Sequence, residues 1–570
     1  MSDLLNSASL VMIPSGYKED TVYSVVPSDG SGDLSFTRAS NGTRVNSAGL
    51  VEVVSWNLMP WSETFNFATG GWNLQGGAIT VANSGTAPNG TNSATLLYPS
   101  VNGVIVAPNR RAEPSATPST AIYTQYVYAK ASGKNWLALY QFNGYSGAAA
   151  WFNLSTGVVG TVASGCTAFI ESAGNGWYKC GFSQSVTASE SLYMHIYPTD
   201  ADNTNAVTAS GTNGIYIWGA QLNIGTTAKP YFPTTDRLNV PRLTYQNGGG
   251  GCPSLLLEKQ STNIALYSEQ FDNANWIKNG TTVTANNRIS PDGTQDADSV
   301  NFSGGGPIEQ LILFAASNQT HTVSAWAKVA SGTQQFRLKI THAGVVDYYS
   351  PYYTATTEWQ RFSFSQAFGS GGIGFYAGVD GGNTMDLWGF QLEPNTSYVS
   401  SYIPSTSSSA TRVADACFKT GISSLIGQTE GTLFVDIVTP TAIPSGAEIL
   451  PISIFQSGGG TGGVQAYIAF LSNGVVRFVY FDGALQALIS TASGFWSAGN
   501  RYKLAAVYKQ NDFAFYINGV QIGTDNSGNV SAMADFYLDY QGSVQQNTVN
   551  QCALFKTRLT NAELASLTTI

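Results

Sequence analysis

The chain writes Ile215-Tyr216-Ile217-Trp218-Gly219-Ala220-Gln221-Leu222 and then, 170 residues on, Met385-Asp386-Leu387-Trp388-Gly389-Phe390-Gln391-Leu392. Strand alternation puts Tyr216, Trp218, Ala220 and Leu222 on one face, and the second copy repeats this with Trp388, Phe390 and Leu392. A glycine beside a large indole within such a strand predicts a bulge or a close backbone approach. After a short loop, the phrases lead to Tyr231-Phe232-Pro233-Thr234-Thr235 and Tyr402-Ile403-Pro404-Ser405-Thr406. Both read as the closing strand of a β-sandwich that occurs twice.

Working outward, the matches keep their order while the offset shrinks. Trp61-Ser62-Glu63-Thr64-Phe65 answers Tyr267-Ser268-Glu269-Gln270-Phe271 at 206 (267 − 61), and Ala129-Lys130 answers Ala327-Lys328 at 198 (327 − 129). Trp177 answers Trp359 at 182 (359 − 177), before Trp218 answers Trp388 at 170 (388 − 218). A monotonic series of this kind is a duplication, with shorter connections in the second copy.

At 570 residues the chain exceeds a single core. Charged residues make up only 11%, aromatics 12%, and glycine 61 positions, the composition of a turn-rich, many-stranded β protein rather than of a disordered one. A formal net charge of −9 disfavours nucleic acid and anionic membrane as partners. No apolar run is long enough for a membrane span, and the opening residues lack the basic start of a secretory signal, so the expected place of synthesis is a cytoplasm. The five cysteines, 166, 180, 252, 417 and 552, are too few and too scattered for a disulfide framework, although Cys166 and Cys180 could sit on neighbouring strands.

The predicted fold is all-β: three tandem sandwiches of the jelly-roll kind after a short β-rich opening. Residues 1–55 form the opening, 56–240 the first repeat, 241–413 a connector and the second repeat, and 414–570 a third sandwich. The third segment is dense in strand candidates, with a hairpin at Asn518-Gly519 and a short terminal helix capped by Thr560 or Asn561 whose Leu564 and Leu567 face inward. The opening is too short to hold a core and carries edge-strand material, TVYSVV and LVEVV. It is expected to serve as an attachment segment that pairs with a neighbouring chain, the other reading being that it completes the first sandwich.

Resemblance adds to this. GTLFVDIV, RYKLAAVYKQNDFAFYINGVQIG and LTNAELASL resemble a concanavalin A-like domain of the laminin G or pentraxin type. The repeats, through NIALYSEQFDNANWIKNGTTVTANNRISPDGTQDADSV, AKASG/AKVASG, NGWYKC and IYIWGAQL, resemble carbohydrate-binding-module-like jelly rolls of bacteriophage virion proteins. The opening and the connector PRLTYQNGGGGCPSLLLEKQSTN are similar to segments of the same fibre-type proteins. The resemblance implies a non-enzymatic virion subunit, in a head or tail fibre or decoration, that displays glycan-binding modules for host attachment. Its implied partners are other virion proteins, a bacterial surface glycan and two further copies in a homotrimer, with the virion as its location. A polysaccharide-active enzyme and a structural spacer remain the alternatives. The first repeat departs from the second by an insertion, APNRRAEPSATPSTA at 107–121.

Residues suited to hold a sugar are exposed aromatics, because a pyranose offers an apolar face that stacks on an indole or phenol. Candidates are Tyr348, Tyr349, Tyr352 and Tyr353 in the second repeat and Trp136, Tyr140 and Trp151 in the first, about half of them expected to face a core. Catalytic signals are weak. Asp436 has no second acid two residues away, as a retaining glycosidase on such a strand needs. Asp200/Asp202 and Asp296/Asp298 read as turn acids, and His195, His321 and His342 fall in no catalytic motif. No cofactor is expected. A structural Ca²⁺ is an option for jelly rolls, with Asp272, Asp292, Asp296 and Asp298 as the acids on hand and turn chemistry as the simpler account.

Overall fold

The computed structural model describes residues 3–74, 76–104, 109–112, 121–142, 147–187, 192–204, 206–245, 249–312, 319–342, 346–368, 375–439, 443, 446–458, 463–539 and 547–570. The chain is nearly all antiparallel β, and it divides into two compact units, Val54–Arg237 and Met1–Val53 with Leu238–Ile570. Among the described residues, no helix is long and apolar enough to cross a membrane.

The first unit is the first repeat. Its five-stranded sheet runs Asn109–Arg111, Tyr193–Thr199, Trp136–Phe142, Gly147–Asn153, Val158–Val162. The six-stranded partner runs Cys166–Gly174, Trp177–Val186, Ala121–Ser132, Gly214–Ile224, Ala94–Pro99, Ala78–Gly85. Leu137, Leu139, Phe152, Ile196, Val127, Phe182, Ile217 and Leu222 are buried between them. Cys166 and Cys180 do lie on neighbouring strands, but Cys166 faces Gln184 and Cys180 faces Ile170, and both thiols are free.

The second repeat builds the same sandwich from Ile277–Lys278, Ile308–Ile312, Phe375–Gly381, Gln334–His342 and Val346–Tyr349 in one sheet. Thr282–Arg288, Ala297–Asn301, Thr384–Glu393, Thr320–Lys328 and Gln360–Ala367 make the other.

The duplication reaches individual hydrogen bonds. Asn57 donates through Nδ2 to the Ala220 and Phe232 carbonyls at 3.0 and 2.9 Å, and Asn263 does the same to Phe390 and Ile403 at 3.1 and 3.0 Å. Phe232 N donates to Gln221 Oε1 at 2.9 Å, as Ile403 N does to Gln391 Oε1 at 2.7 Å. Trp72 and Trp276 each donate Nε1–H to the carbonyl of Trp61 or Tyr267, at 3.0 and 3.1 Å. The repeated Gln and Asn thus sew the closing strand to the Tyr-x-Pro loop that follows it.

One expectation is corrected. Tyr216, Trp218, Ala220 and Leu222 do not share a face. Gly219 and Gly389 have φ of +65° and +64°, and the register against the neighbouring strand slips there. Beyond the slip the alternation is reversed: Ala220, Leu222, Phe390 and Leu392 enter the cores, while Trp218 and Trp388 pack outside with Tyr231 and Tyr402. Only glycine tolerates both the positive φ and the ring alongside, since a Cβ at Gly389 would sit 2.8 Å from Trp326.

The third sandwich draws on the whole remainder of its unit. Leu10–Met12 pairs with Asn547–Phe555, Leu10 opposite Leu554, and the connector strands Arg242–Thr244 and Ser254–Leu257 extend the same sheet. Leu34–Thr37 pairs with Ala416–Lys419 in the facing sheet. Leu10, Met12, Val22, Leu34 and Phe36 share one core with Leu255, Leu257, Leu433, Ile468, Phe478 and Phe515. Leu10–Met12, Thr21–Val22 and Leu34–Thr37 therefore belong to the sheets of the third sandwich and not to those of the first repeat. Thr21–Val22 pairs with Leu34–Thr37, and Val51–Val54 with Gly42–Val45, so the edge material is used within the chain. The chain gains a covered core by closing its opening strands onto its last ones. The terminal helix Asn561–Thr568 has Thr560 at its N-cap with Glu563 completing the capping box, and Leu564 and Leu567 are buried.

At the junction of opening, connector and second repeat lies a buried cluster of charge. Arg38 Nη1 bonds Asp415 Oδ1 at 2.9 Å, Arg242 Nη1 bonds Glu258 Oε2 at 2.6 Å and its Nη2 bonds Asp415, and Arg412 reaches Glu258 at 3.2 Å. Burial would raise the Glu258 carboxyl, but Arg412 and Arg242 overrule it and hold the pKa at about 2.

Candidate functional site

Strand alternation gives each five-strand sheet an outer face, and in the first repeat that face is aromatic. Leu137 and Leu139 turn inward, leaving Trp136, Ala138 and Tyr140 outward. Register then sets Trp151 beside Ala138 on one side and Tyr197 on the other, with His195 beside Tyr140. The Tyr140 ring meets Trp151 edge-on at 5.4 Å and Tyr197 at 5.2 Å. His195 stacks on Tyr197 at 6.1 Å with 9° between planes, Tyr193 follows at 6.4 Å, and the Arg111 guanidinium lies 6.0 Å over Tyr193. Ala138, fully buried, is the small floor among these rings. Trp151 is fixed by its Nε1–H donating to the Thr204 carbonyl at 2.7 Å. Burial lowers the His195 pKa to about 4, so the imidazole is neutral at pH 7 and offers hydrogen bonds rather than charge.

All three sequence candidates of this repeat, Trp136, Tyr140 and Trp151, are thus brought together, but Trp151, expected to be exposed, is only 6% exposed and backs the cluster with Tyr197, leaving Trp136 and Tyr140 as its half-buried rings. Sequence reasoning missed Tyr193, His195 and Tyr197, although their spacing of two along a strand already placed them on one face. Of the insertion 107–121, Asn109–Ala112 and Ala121 lie within the described residues, and Asn109–Arg111 supplies the strand at the rim of this sheet.

The equivalent face of the second repeat is charged. Counted from the shared Ser-Gly, Arg337 stands where the first repeat has Ala138 and Lys339 where it has Tyr140. Arg337 bonds Asp380 at 2.6 Å, with its guanidinium 4.0 Å from the Tyr349 ring and 4.8 Å from Tyr352. Lys339 bonds Glu309 at 2.9 Å and lies 3.6 Å from Asp347. Tyr349 and Tyr352 are therefore on the outer face, Tyr352 being 62% exposed. Tyr348 and Tyr353 turn inward: Tyr348 packs edge-on against Phe368 at 5.4 Å, and Tyr353 lies against Phe336 and Phe362 with its hydroxyl donating to the Ser363 carbonyl at 2.6 Å. Strand parity decides this, since Tyr348 is opposite the core residue Ile340 and Tyr353 is opposite Phe336.

The acids weighed for chemistry or calcium are held otherwise. Asp436 receives Arg501 Nε and Nη2 at 2.9 and 2.6 Å and Asn550 at 2.9 Å. Asp298 accepts backbone N–H groups of Phe271, Asp272 and Asn286 at 2.7, 3.3 and 2.8 Å, and Asp292 accepts Ser290 Oγ and Thr294 N at 2.5 and 2.8 Å. Among the described residues no group of three or more His, Cys, Asp and Glu is arranged to hold a metal. Asp296 is buried, and burial followed by the charge of Asp292 pushes its pKa up to about 7. Burial also lowers His321 to about 4, and the side chain of His342 lies outside the described residues.

No family model matches the chain, and no curated protein matches it. Among solved structures, it is similar to the CBM40 of a Ruminococcus gnavus IT-sialidase bound to alpha2,3 sialyllactose, at 13% identity and TM-score 0.22 over 26% of this chain and 91% of that one. It is similar to the CBM22-1 xylan-binding domain of Paenibacillus barcinonensis Xyn10C at 12% and 0.19, over 24% and 94%. It is also similar to the NanB sialidase of Streptococcus pneumoniae at 12% and 0.23, over 27% of this chain and 26% of that one.

Proposed function

We propose that this protein is a non-enzymatic glycan-binding structural subunit, of the bacteriophage fibre type, with its sugar platform on the outer face of the first repeat's five-stranded sheet. The observation that supports the glycan reading is the convergence of Trp136, Tyr140, Trp151 and Tyr197 around the floor of Ala138, with the neutral His195 at its edge. The half-buried rings of Trp136 and Tyr140, backed by the buried Trp151 and Tyr197, can stack on the apolar face of a sugar, while Tyr193 and Arg111 lie at the rim to supply hydrogen bonds. The reading predicts attachment to a bacterial surface glycan, a virion location and, by analogy with fibres, a trimer. Since residues 1–53 are part of the third sandwich's unit, contact with other virion proteins falls to that unit as a whole rather than to a detachable tail.

A glycan array of bacterial surface oligosaccharides, probed with the full chain, tests the platform. Trp136→Ala and Tyr140→Ala are each expected to weaken any neutral-glycan hit by at least about tenfold, or about 1.4 kcal/mol, with the fold intact. An array without hits favours the spacer reading, and release of reducing sugar from the same oligosaccharides favours the enzyme. Immunogold labelling of purified particles tests the virion assignment separately, absence of label removing it.

A further inference from the structure

The two repeats differ by one pair of strands, and the difference leaves an edge open. In the first repeat Trp177–Val186 is an inner strand, covered by Cys166–Gly174, which pairs along most of its length with Thr167 opposite Ser183 and Ile170 opposite Cys180. Among the described residues, the second repeat has no counterpart of Val158–Val162 or Cys166–Gly174. Between Tyr353–Ala355 and Gln360–Ala367 only four residues intervene, which accounts for the fall in offset from 198 to 182. Gln360–Ala367 is consequently the last strand of its sheet among the described residues.

This edge carries little of the usual protection beyond Arg361 and the Tyr353 hydroxyl. Its sequence, Gln-Arg-Phe-Ser-Phe-Ser-Gln-Ala, has no proline, no lysine and a regular register against Thr320–Lys328, and one carbonyl, that of Ser363, is held by Tyr353. It is also almost a palindrome about Ser363: Gln360 mirrors Gln366 and Phe362 mirrors Phe364. An antiparallel partner related by a two-fold axis at Ser363 would set Phe362 opposite the other copy's Phe364 on the core side. It would set Ser363 against Ser363 on the outer side, with Arg361 meeting the uncharged Ser365 rather than a like charge.

We propose that Gln360–Ala367 is an interface on which a second copy of this chain adds the same strand, antiparallel, in the place that Cys166–Gly174 occupies within the first repeat. An eight-residue strand pair lies below the interface size of stable complexes, about 1,200 Å², so the association is concentration-dependent. If a trimer forms through other surfaces, this edge joins trimers in pairs.

Light scattering on the full chain from about 1 to about 100 µM tests it, with the double variant Ser363→Lys/Ser365→Lys, which sets like charges opposite one another across the axis. The expected wild-type mass at the upper end is an even multiple of 60.4 kDa, and the variant has half that mass with an unchanged thermal midpoint. Hydrogen exchange at 360–367 in the wild type slows as concentration rises, a readout that survives a misfolded variant. A wild type that stays at 60.4 kDa, a mass that the lysines leave unchanged, or exchange indifferent to concentration overturns the proposal.

Discussion

The two repeats share a fold down to single hydrogen bonds yet present opposite chemistry on the same sheet. Where the first offers Trp136, Tyr140, Trp151 and Tyr197 around a small floor, the second offers Arg337 and Lys339, each neutralised by neighbouring acids. The closing strand and its Tyr-x-Pro loop are retained in both because they hold the sandwich together. The outer face has no such duty and is free to diverge. The repeats also differ in their setting: the first is a compact unit by itself, while the second belongs to one unit with the third sandwich. A duplicated fold therefore says where a binding face lies, and only its outward residues say what it could bind.

The contrast in setting should break most visibly at Arg242. Arg242→Ala leaves Glu258 and Asp415 short of a buried counter-charge, a loss of about 3 kcal/mol or more. Calorimetry should show the transition of Met1–Val53 with Leu238–Ile570 moving down while that of Val54–Arg237 stays. Both transitions moving together would mean that the units do not unfold separately.

Protonation sharpens the comparison next. Ser93 stands in the first repeat where the second has Asp296, each preceding the alanine that opens the matching strand. An acid whose folded pKa is raised to about 7 costs stability progressively as pH climbs from its ordinary value near 4 towards 7. Asp296→Asn should therefore raise the thermal midpoint of the unit that holds the second repeat, Met1–Val53 with Leu238–Ile570, by roughly 5 °C at pH 8 and leave it unchanged at pH 4. Glu258 works in the opposite sense: its pKa is held down to about 2, so its contribution is present above about pH 4.5 and is lost as pH falls towards 2. A midpoint in Asp296→Asn equal to wild type at both pH values removes this account.

The smallest effect concerns the bulge. Gly219→Ala and Gly389→Ala each force a side chain into positive φ, at about 1–2 kcal/mol. Gly389 should cost the more, because its Cβ would stand 2.8 Å from Trp326, against 3.1 Å from Tyr128 at Gly219. Equal losses in urea titration would mean that the ring gives way freely.

Much of this was legible in the residues. The shrinking offsets revealed the duplication, but they read as shorter connections where the second repeat, among the described residues, in fact omits two strands, because an offset counts residues and not the strands they form. Thr560, Leu564 and Leu567 announced the terminal helix. Other features were not legible for physical reasons. A single bulge at Gly219 reverses every later side chain, so periodicity alone put Trp218 on the wrong face. Tyr348 and Tyr353 belong to a tyrosine cluster whose inward and outward members are decided by register with Gln334–His342, which adjacent residues do not encode. The partners of Leu10–Met12, of Leu34–Thr37 in the facing sheet and of Arg38 lie hundreds of positions away, beyond the reach of any local pattern.

The pairing of Leu10–Met12 with Asn547–Phe555 carries a consequence for synthesis. At the ordinary pace of a ribosome, about 5–20 residues per second, the first strand waits roughly half a minute to two minutes for its partner to emerge. During that interval the first repeat can close on its own, while the opening strands stay unmatched and open to chaperones or proteases. A truncation that removes Asn547–Phe555 would then do its damage more than five hundred residues away, at Leu10–Met12, which would be left without its partner.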